Sequence, residues 1–337
     1  MKLNLNQIKD ITTGAARIEE IDGKVCFSRF TDEQRFLYKN RDENCYLRSL
    51  SSSGIKMSFS TDSENLSLII DVSPGSSRKY FSVDVFSNDT CIGHIDNFKE
   101  EDMPKKYIET KLPLDENSKT FSLGSGIKDI TIYLPWSMNT VLKEISVDDG
   151  SIVTPKKRSN TLLAFGDSIT QGYDALRSSD TYVAKLSRAL DADEINKGIG
   201  GETFFPELAL TKENITPDFI TVAYGTNDWS LLDKPTFQKN CIEFFKNLRN
   251  TYESAKIFAI TPLWRTDVEN ITNLGAFSEL EETIKMACEN LNISVISGMD
   301  LVPHDENFFA DLFVHPNKAG FEHFYKNLYQ KIVNNNF

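Results

Sequence analysis

Hydrophobic and polar positions alternate with a period of two through the first 150 or so residues, and the period then lengthens. Ile55, Met57 and Phe59 alternate with Lys56, Ser58 and Ser60. Phe81, Val83 and Val85 alternate with Ser82 and Asp84, Ile130, Ile132 and Leu134 repeat the pattern, and residues 66–72 form a short apolar run. Side chains on a strand point to opposite faces in turn, so this period predicts half-buried strands. Turn-rich clusters separate them, at Ser51-Ser52-Ser53-Gly54, Ser73-Pro74-Gly75-Ser76 and Asp148-Asp149-Gly150. Short strands with frequent turns predict an all-β sandwich over 1–153, without a long helix.

Residues 154–160 are polar and include Pro155, which predicts a connector. Beyond it, apolar runs at 161–165, 219–224, 256–260 and 293–296 read as strands. Between and after them, Val183, Leu186 and Leu190 stand at helical spacing. Phe237, Cys241, Phe244, Phe245 and Leu248 do the same behind Pro235, as do residues 274–291 and 317–333. Strand–helix alternation predicts an α/β domain over 161–337, built on a parallel sheet covered on both faces. Ligands of such sheets bind at the C-terminal ends of the strands.

Composition narrows the function classes. The chain of 337 residues carries a formal net charge of −12 and no basic run longer than Lys156-Lys157-Arg158. That balance opposes a nucleic-acid or anionic-membrane partner. No apolar run approaches the ~18 residues that span a bilayer, and the N-terminal residues lack the apolar core of a secretory signal. Cysteines 26, 45, 91, 241 and 288 are odd in number and widely spaced, with no Cys-x-x-Cys pair. This argues against a disulfide framework and a cysteine zinc site, and predicts a cytoplasmic protein.

The chemistry concentrates in the second half. Phosphate-cradling, His-Glu-x-x-His and Gly-x-Ser-x-Gly patterns are absent. Gly166-Asp167-Ser168 directly follows an apolar strand. A hydroxyl there is held at the sheet edge, beside N–H groups that favour developing negative charge. By itself the pattern equally describes an Asp-Ser helix cap. A nucleophilic serine needs a base. His94 lies in the β half, His323 inside the last helix and His304 in a loop. His315 stands just before the last helix, with Pro316 restricting its backbone and Asp311 close by. Gly200-Gly201 allows close backbone approach to a ligand, and Asn227 follows a strand with an amide to donate.

Together, Gly166-Asp167-Ser168-Ile169-Thr170, Asn196 through Gly201, Gly225-Thr226-Asn227-Asp228 and Asp311 through Asn317 resemble the SGNH (GDSL-type) hydrolase family. The blocks occur in the family's order from about residue 160 to the end. The resemblance implies a flavodoxin-like α/β domain and a serine esterase without metal or organic cofactor. Ser168 would be the nucleophile and His315 the base. The oxyanion donors would be the Ser168 N–H, Gly201 and Asn227, with Gly200 as an alternative to Gly201. The family places its acid three residues before the histidine, where this chain has Leu312. Asp311, four before, would serve only if a bend at 312–314 absorbs the extra residue. Asp305 or a backbone carbonyl are the rival partners.

The β half resembles the jelly-roll-like domain that precedes some carbohydrate esterases, through Tyr80 to Phe86 and Tyr133 to Trp136. This likeness implies an acetylated saccharide as substrate, with Trp136 and Trp264 as candidates to line its site. A thioesterase or lysophospholipase, and a saccharide-binding protein with a relic site, are the alternatives.

Overall fold

The computed structural model describes residues 1–103, 112, 114 and 117–334. In the first half, two antiparallel sheets stack face to face. One runs in the order Arg17–Ile21, Lys24–Ser28, Met138–Val147, Asn65–Pro74, Asn117–Ser122. The other runs Thr12–Thr13, Lys56–Thr61, Lys128–Tyr133, Ser82–Ser87, Thr90–Asp96. The alternating apolar residues face each other between the sheets. Met57, Phe59, Leu68, Ile70, Val83, Val85, Ile130 and Ile132 are all buried there. Each inward side chain gains roughly 1.5–3 kcal/mol by leaving water, which fixes the strand register against slips.

Helices do occur in this half, contrary to the alternating pattern. Asp32–Arg41 and Glu43–Ser49 form a helical hairpin. Thr31 and Gln34 make a reciprocal capping box at its start. These helices do not join the sandwich core. Phe30, Tyr38 and Cys45 pack instead with Phe204, Phe205 and Phe244 of the second half. The 154–160 segment is also more ordered than a free connector. Thr154–Pro155 pairs with Lys56–Thr61, and the next strand starts at Asn160.

The second half is an α/β domain whose parallel sheet runs Ala192–Asn196, Asn160–Gly166, Phe219–Ala223, Lys256–Ile260, Ile293–Ile296. In chain order this is 2-1-3-4-5, the doubly wound order that leaves a crevice beside the first strand. Tyr182–Ala189 and Lys318–Asn334 cover one face, with Tyr182 stacked on Phe324 at 4.0 Å. Lys234–Thr251 and Ser278–Cys288 cover the other. No helix among the described residues is long and apolar enough to cross a membrane.

Candidate active site

The strand Asn160–Gly166 ends in a turn that opens the short helix Ser168–Gln171. Asp167 caps it, its carboxylate accepting the Ile169 N–H at 2.9 Å. Burial pushes the Asp167 carboxyl up to about 6. The turn is tight: a Cβ on Gly166 would lie 2.1 Å from Thr170 Oγ1. Ser168 therefore stands at the C-terminal edge of the sheet, 6% exposed. Its Oγ lies 2.7 Å from Nε2 of His315.

His315 is oriented from its other nitrogen. Nδ1 lies 2.7 Å from Asp311 Oδ2. The extra residue between acid and base is absorbed at Leu312, whose φ of 55° is left-handed. That bend folds the chain around the carboxylate. Asp311 Oδ1 accepts the N–H groups of Phe313, Val314 and His315 at 2.9, 2.8 and 3.1 Å. Burial works against the charge, but the His315 contact and these N–H groups outweigh it and hold the carboxyl at about 2. Asp305 instead caps a turn, accepting from Asn307 N and Nδ2. His94 pairs with Asp84, His304 stacks on Trp264, and His323 meets the edge of Phe308.

A second carboxylate, which motif reading did not single out, stands beside the imidazole. Asp174 Oδ2 lies 3.6 Å from His315 Nδ1. Arg78 of the β half grips Asp174 with Nε and Nη2 at 2.7 and 2.8 Å, and the Tyr80 hydroxyl donates to it at 3.1 Å. Tyr173 stacks on the His315 ring at 5.5 Å. Asp174 has a φ of 66°, and its place just after the Ser168 block was the only hint in the sequence. Asp174, Asp311 and His315 offer ligand atoms within 4.8 Å of one another. Their lone pairs already meet Arg78, Tyr80 and the three backbone N–H groups, so the group reads as a hydrogen-bonded relay rather than a metal cage.

The loop 196–201 lies along the Ser168 helix. Gly200 N–H donates to Gln171 Oε1 at 2.8 Å, so this N–H is engaged within the loop. Gly201 is exposed at a φ of 81°, and its N–H has no partner among the described residues. Asn227 opens the helix Thr226–Leu231, and its Nδ2 donates to the Glu202 carbonyl at 2.9 Å. That bond ties the Asn227 amide to the turn that follows Gly201.

The structure places the two candidate tryptophans differently. Trp136 is 2% exposed, packed against Tyr173 and Tyr80, with its indole N–H on the Ala175 carbonyl at 3.1 Å. It supports Tyr173 from behind and has no free face for a sugar. Trp264 is half-buried, with His304 stacked on its ring at 5.5 Å.

The fold is that of an SGNH-type α/β domain preceded by a β-sandwich. Residues 164–323 match the model of the GDSL-like Lipase/Acylhydrolase family. The match lies within the C-terminal α/β domain and, with the similar folds, supports a carboxylic ester hydrolase. A search of curated proteins gives no match. Solved structures share the whole architecture. A salicylyl-acyltransferase from a tetracycline biosynthetic pathway, SsfX3, superposes with a TM-score of 0.77 at 19% identity, covering 96% of this chain and 94% of that one. A GDSL-like lipase from Bacteroides ovatus gives 0.75 at 19%, covering 99% and 97%. A family two carbohydrate esterase from Cellvibrio japonicus gives 0.67 at 16%, covering 99% and 97%.

Proposed function

We propose that the protein is a serine esterase that removes short acyl groups, chiefly acetyl, from a saccharide. The observation that carries this reading is the hydrogen-bonded line from Ser168 Oγ through the two nitrogens of His315 to Asp311, 2.7 Å at each step. In this reading His315 Nε2 takes the Ser168 proton as Oγ attacks the ester carbonyl. Asp311 keeps the ring in the productive tautomer and stabilises the imidazolium. The charge that develops on the carbonyl oxygen meets the N–H groups of Ser168 and Gly201 and the Asn227 amide. His315 then protonates the leaving alcohol, and water, activated by the same ring, releases the acid.

The saccharide part of the reading leans on the carbohydrate esterases among the similar structures, one of them an acetyl xylan esterase from Butyrivibrio proteoclasticus. We read 1–153 as the accessory β domain, 154–160 as the connector and 161–337 as the catalytic domain. In this reading residues 30–49 are lent by the first to the second.

The test is hydrolysis of p-nitrophenyl acetate and of acetylated xylo-oligosaccharide by wild type and Ser168→Ala. A loss of at least about 1000-fold in the variant is expected on both, by the scale of triad dissections. Equal activity in the two proteins would reject the serine mechanism. A preference of wild type for long-chain acyl esters would reject the saccharide assignment.

A further inference from the structure

The peptide group between Gly200 and Gly201 is held by a cation that comes from the β half. Arg48, at the end of the helix Glu43–Ser49, reaches across 152 residues of sequence and donates from Nη1 to the Gly200 carbonyl oxygen at 2.5 Å. That oxygen and the Gly201 N–H belong to one planar, conjugated group. A charge-assisted bond on the oxygen draws electron density from the nitrogen and makes its N–H a stronger donor. The same bond fixes the plane in which that N–H points.

Two further features mark this contact as built. Arg48 makes no ion pair among the described residues, whereas Arg41 and Arg78, nearby in the same half, pair with Glu202 and Asp174. No carboxylate touches its guanidinium, although its charge also reaches Asp42, so its direct contact is with the peptide. The other is residue 201 itself. A Cβ there would come to 2.9 Å from Arg48 Nη1, and the φ of 81° already favours glycine. The glycine thus serves both the turn of the peptide and the approach of the guanidinium.

We propose that Arg48 is a positioning residue of the oxyanion site, orienting and polarising the Gly200–Gly201 peptide so that its N–H meets the charge developing on the substrate carbonyl oxygen. This rests on the reading of Gly201 as an oxyanion donor. Arg48 touches the peptide and not the reacting atoms, so its contribution appears in the transition state and leaves ground-state binding of a small ester almost unchanged.

The experiment compares wild type, Arg48→Ala, Arg48→Gln and Ser168→Ala, all as full chains, on p-nitrophenyl acetate. Losing a whole oxyanion donor costs about 100- to 1000-fold in kcat. Arg48 acts through such a donor, so Arg48→Ala is expected to lose about 10- to 100-fold in kcat, with KM within about threefold of wild type. Guanidinium chloride at non-denaturing concentration is expected to restore part of the Arg48→Ala rate and none of the Ser168→Ala rate. Arg48→Gln keeps a donor without the charge, and carries the test should the alanine variant fail to fold. Its kcat is expected to fall with that of Arg48→Ala. A kcat within twofold of wild type in a folded variant, a loss carried by KM alone, or no rescue by guanidinium overturns the proposal. If those results come with an inactive Ser168→Ala, only the role of Arg48 fails. If Ser168→Ala is fully active, the serine esterase reading itself fails.

Discussion

The two halves of the molecule reach the same site by different means. The α/β half supplies Ser168, Gly201, Asn227, Asp311 and His315 from turns that follow its strands or precede its last helix, each within a short block of sequence. The β half supplies none of these. It sends arginines instead, and each ends on main chain or on a carboxylate around them. Arg29, fully buried, donates to the carbonyls of Asn196 and Gly198 at 3.0 and 2.8 Å and to those of Ser51 and Arg48. Arg48 holds the Gly200 carbonyl, and Arg78 holds Asp174 beside His315. In the proposed reading one half carries the reacting groups, while the other fixes the geometry of the loops that present them. Burial pushes the Arg29 guanidinium down to about 9, which shows how far from water this support sits.

Arg29 offers the most severe way to break the comparison. Arg29→Met strands four carbonyl oxygens in or near the interface. It is expected to cost at least about 3 kcal/mol of unfolding free energy, read by urea titration. A loss below about 1 kcal/mol would show that water replaces the guanidinium and that the β half is dispensable there.

Next comes the acid of the α/β half. Asp311→Asn is expected to lower kcat at least about 100-fold on p-nitrophenyl acetate, equivalent to about 2.7 kcal/mol of barrier. A loss under threefold would hand the orienting role to another group.

The arginine–aspartate pair sharpens the comparison further. Asp174→Asn removes a charge but leaves Arg78 an acceptor, and is expected to lower kcat about fivefold. Arg78→Met leaves the Asp174 charge without its cation 3.6 Å from Nδ1, where it competes with Asp311 for the ring proton, and is expected to cost more, about 20-fold. The reverse order in the steady-state rates would show that Asp174 serves the fold alone.

The smallest effect is one of pH on stability. Burial pushes the Asp228 carboxyl up from 3.8 to about 7. A carboxyl raised in the folded state stabilises fully below its unfolded value, and this contribution is lost as pH rises through the folded one. Asp228→Asn, neutral throughout, is expected to melt a few degrees above wild type near pH 8.5 and to match it near pH 4. Equal melting curves at both values would mean that Asp228 is solvated.

Much of this architecture was legible, because period-two and helical patterns follow from which faces are buried. Met57 and Phe59, or Val183 and Leu186, announce their elements through burial alone. The hairpin at 32–49 escaped for the same reason in reverse. The helix Asp32–Arg41 buries only Gln34 and Tyr38, so no apolar stripe marks it, and its Thr31–Gln34 capping box went unread. The Ser168, Gly201, Asn227 and His315 blocks were readable because each couples a candidate side chain or backbone N–H to a local turn. Arg78 and Asp174 were not, since 96 residues separate them and nothing local to either requires the other. Trp136 was misread toward the substrate because its type suggests stacking, while its surroundings, Tyr80, Tyr173 and the Ala175 carbonyl, assemble only in three dimensions.

The left-handed residue at Leu312 bears on how chains of this kind can be found and altered. A search that demands a fixed count between acid and histidine would pass this protein by. The quantity held constant is the reach from carboxylate to ring nitrogen, and one rotated residue is enough to conserve it through an insertion. Sequence spacing at this corner is therefore a soft variable for evolution and for design, and loop grafts should be matched on the position of the carboxylate rather than on length.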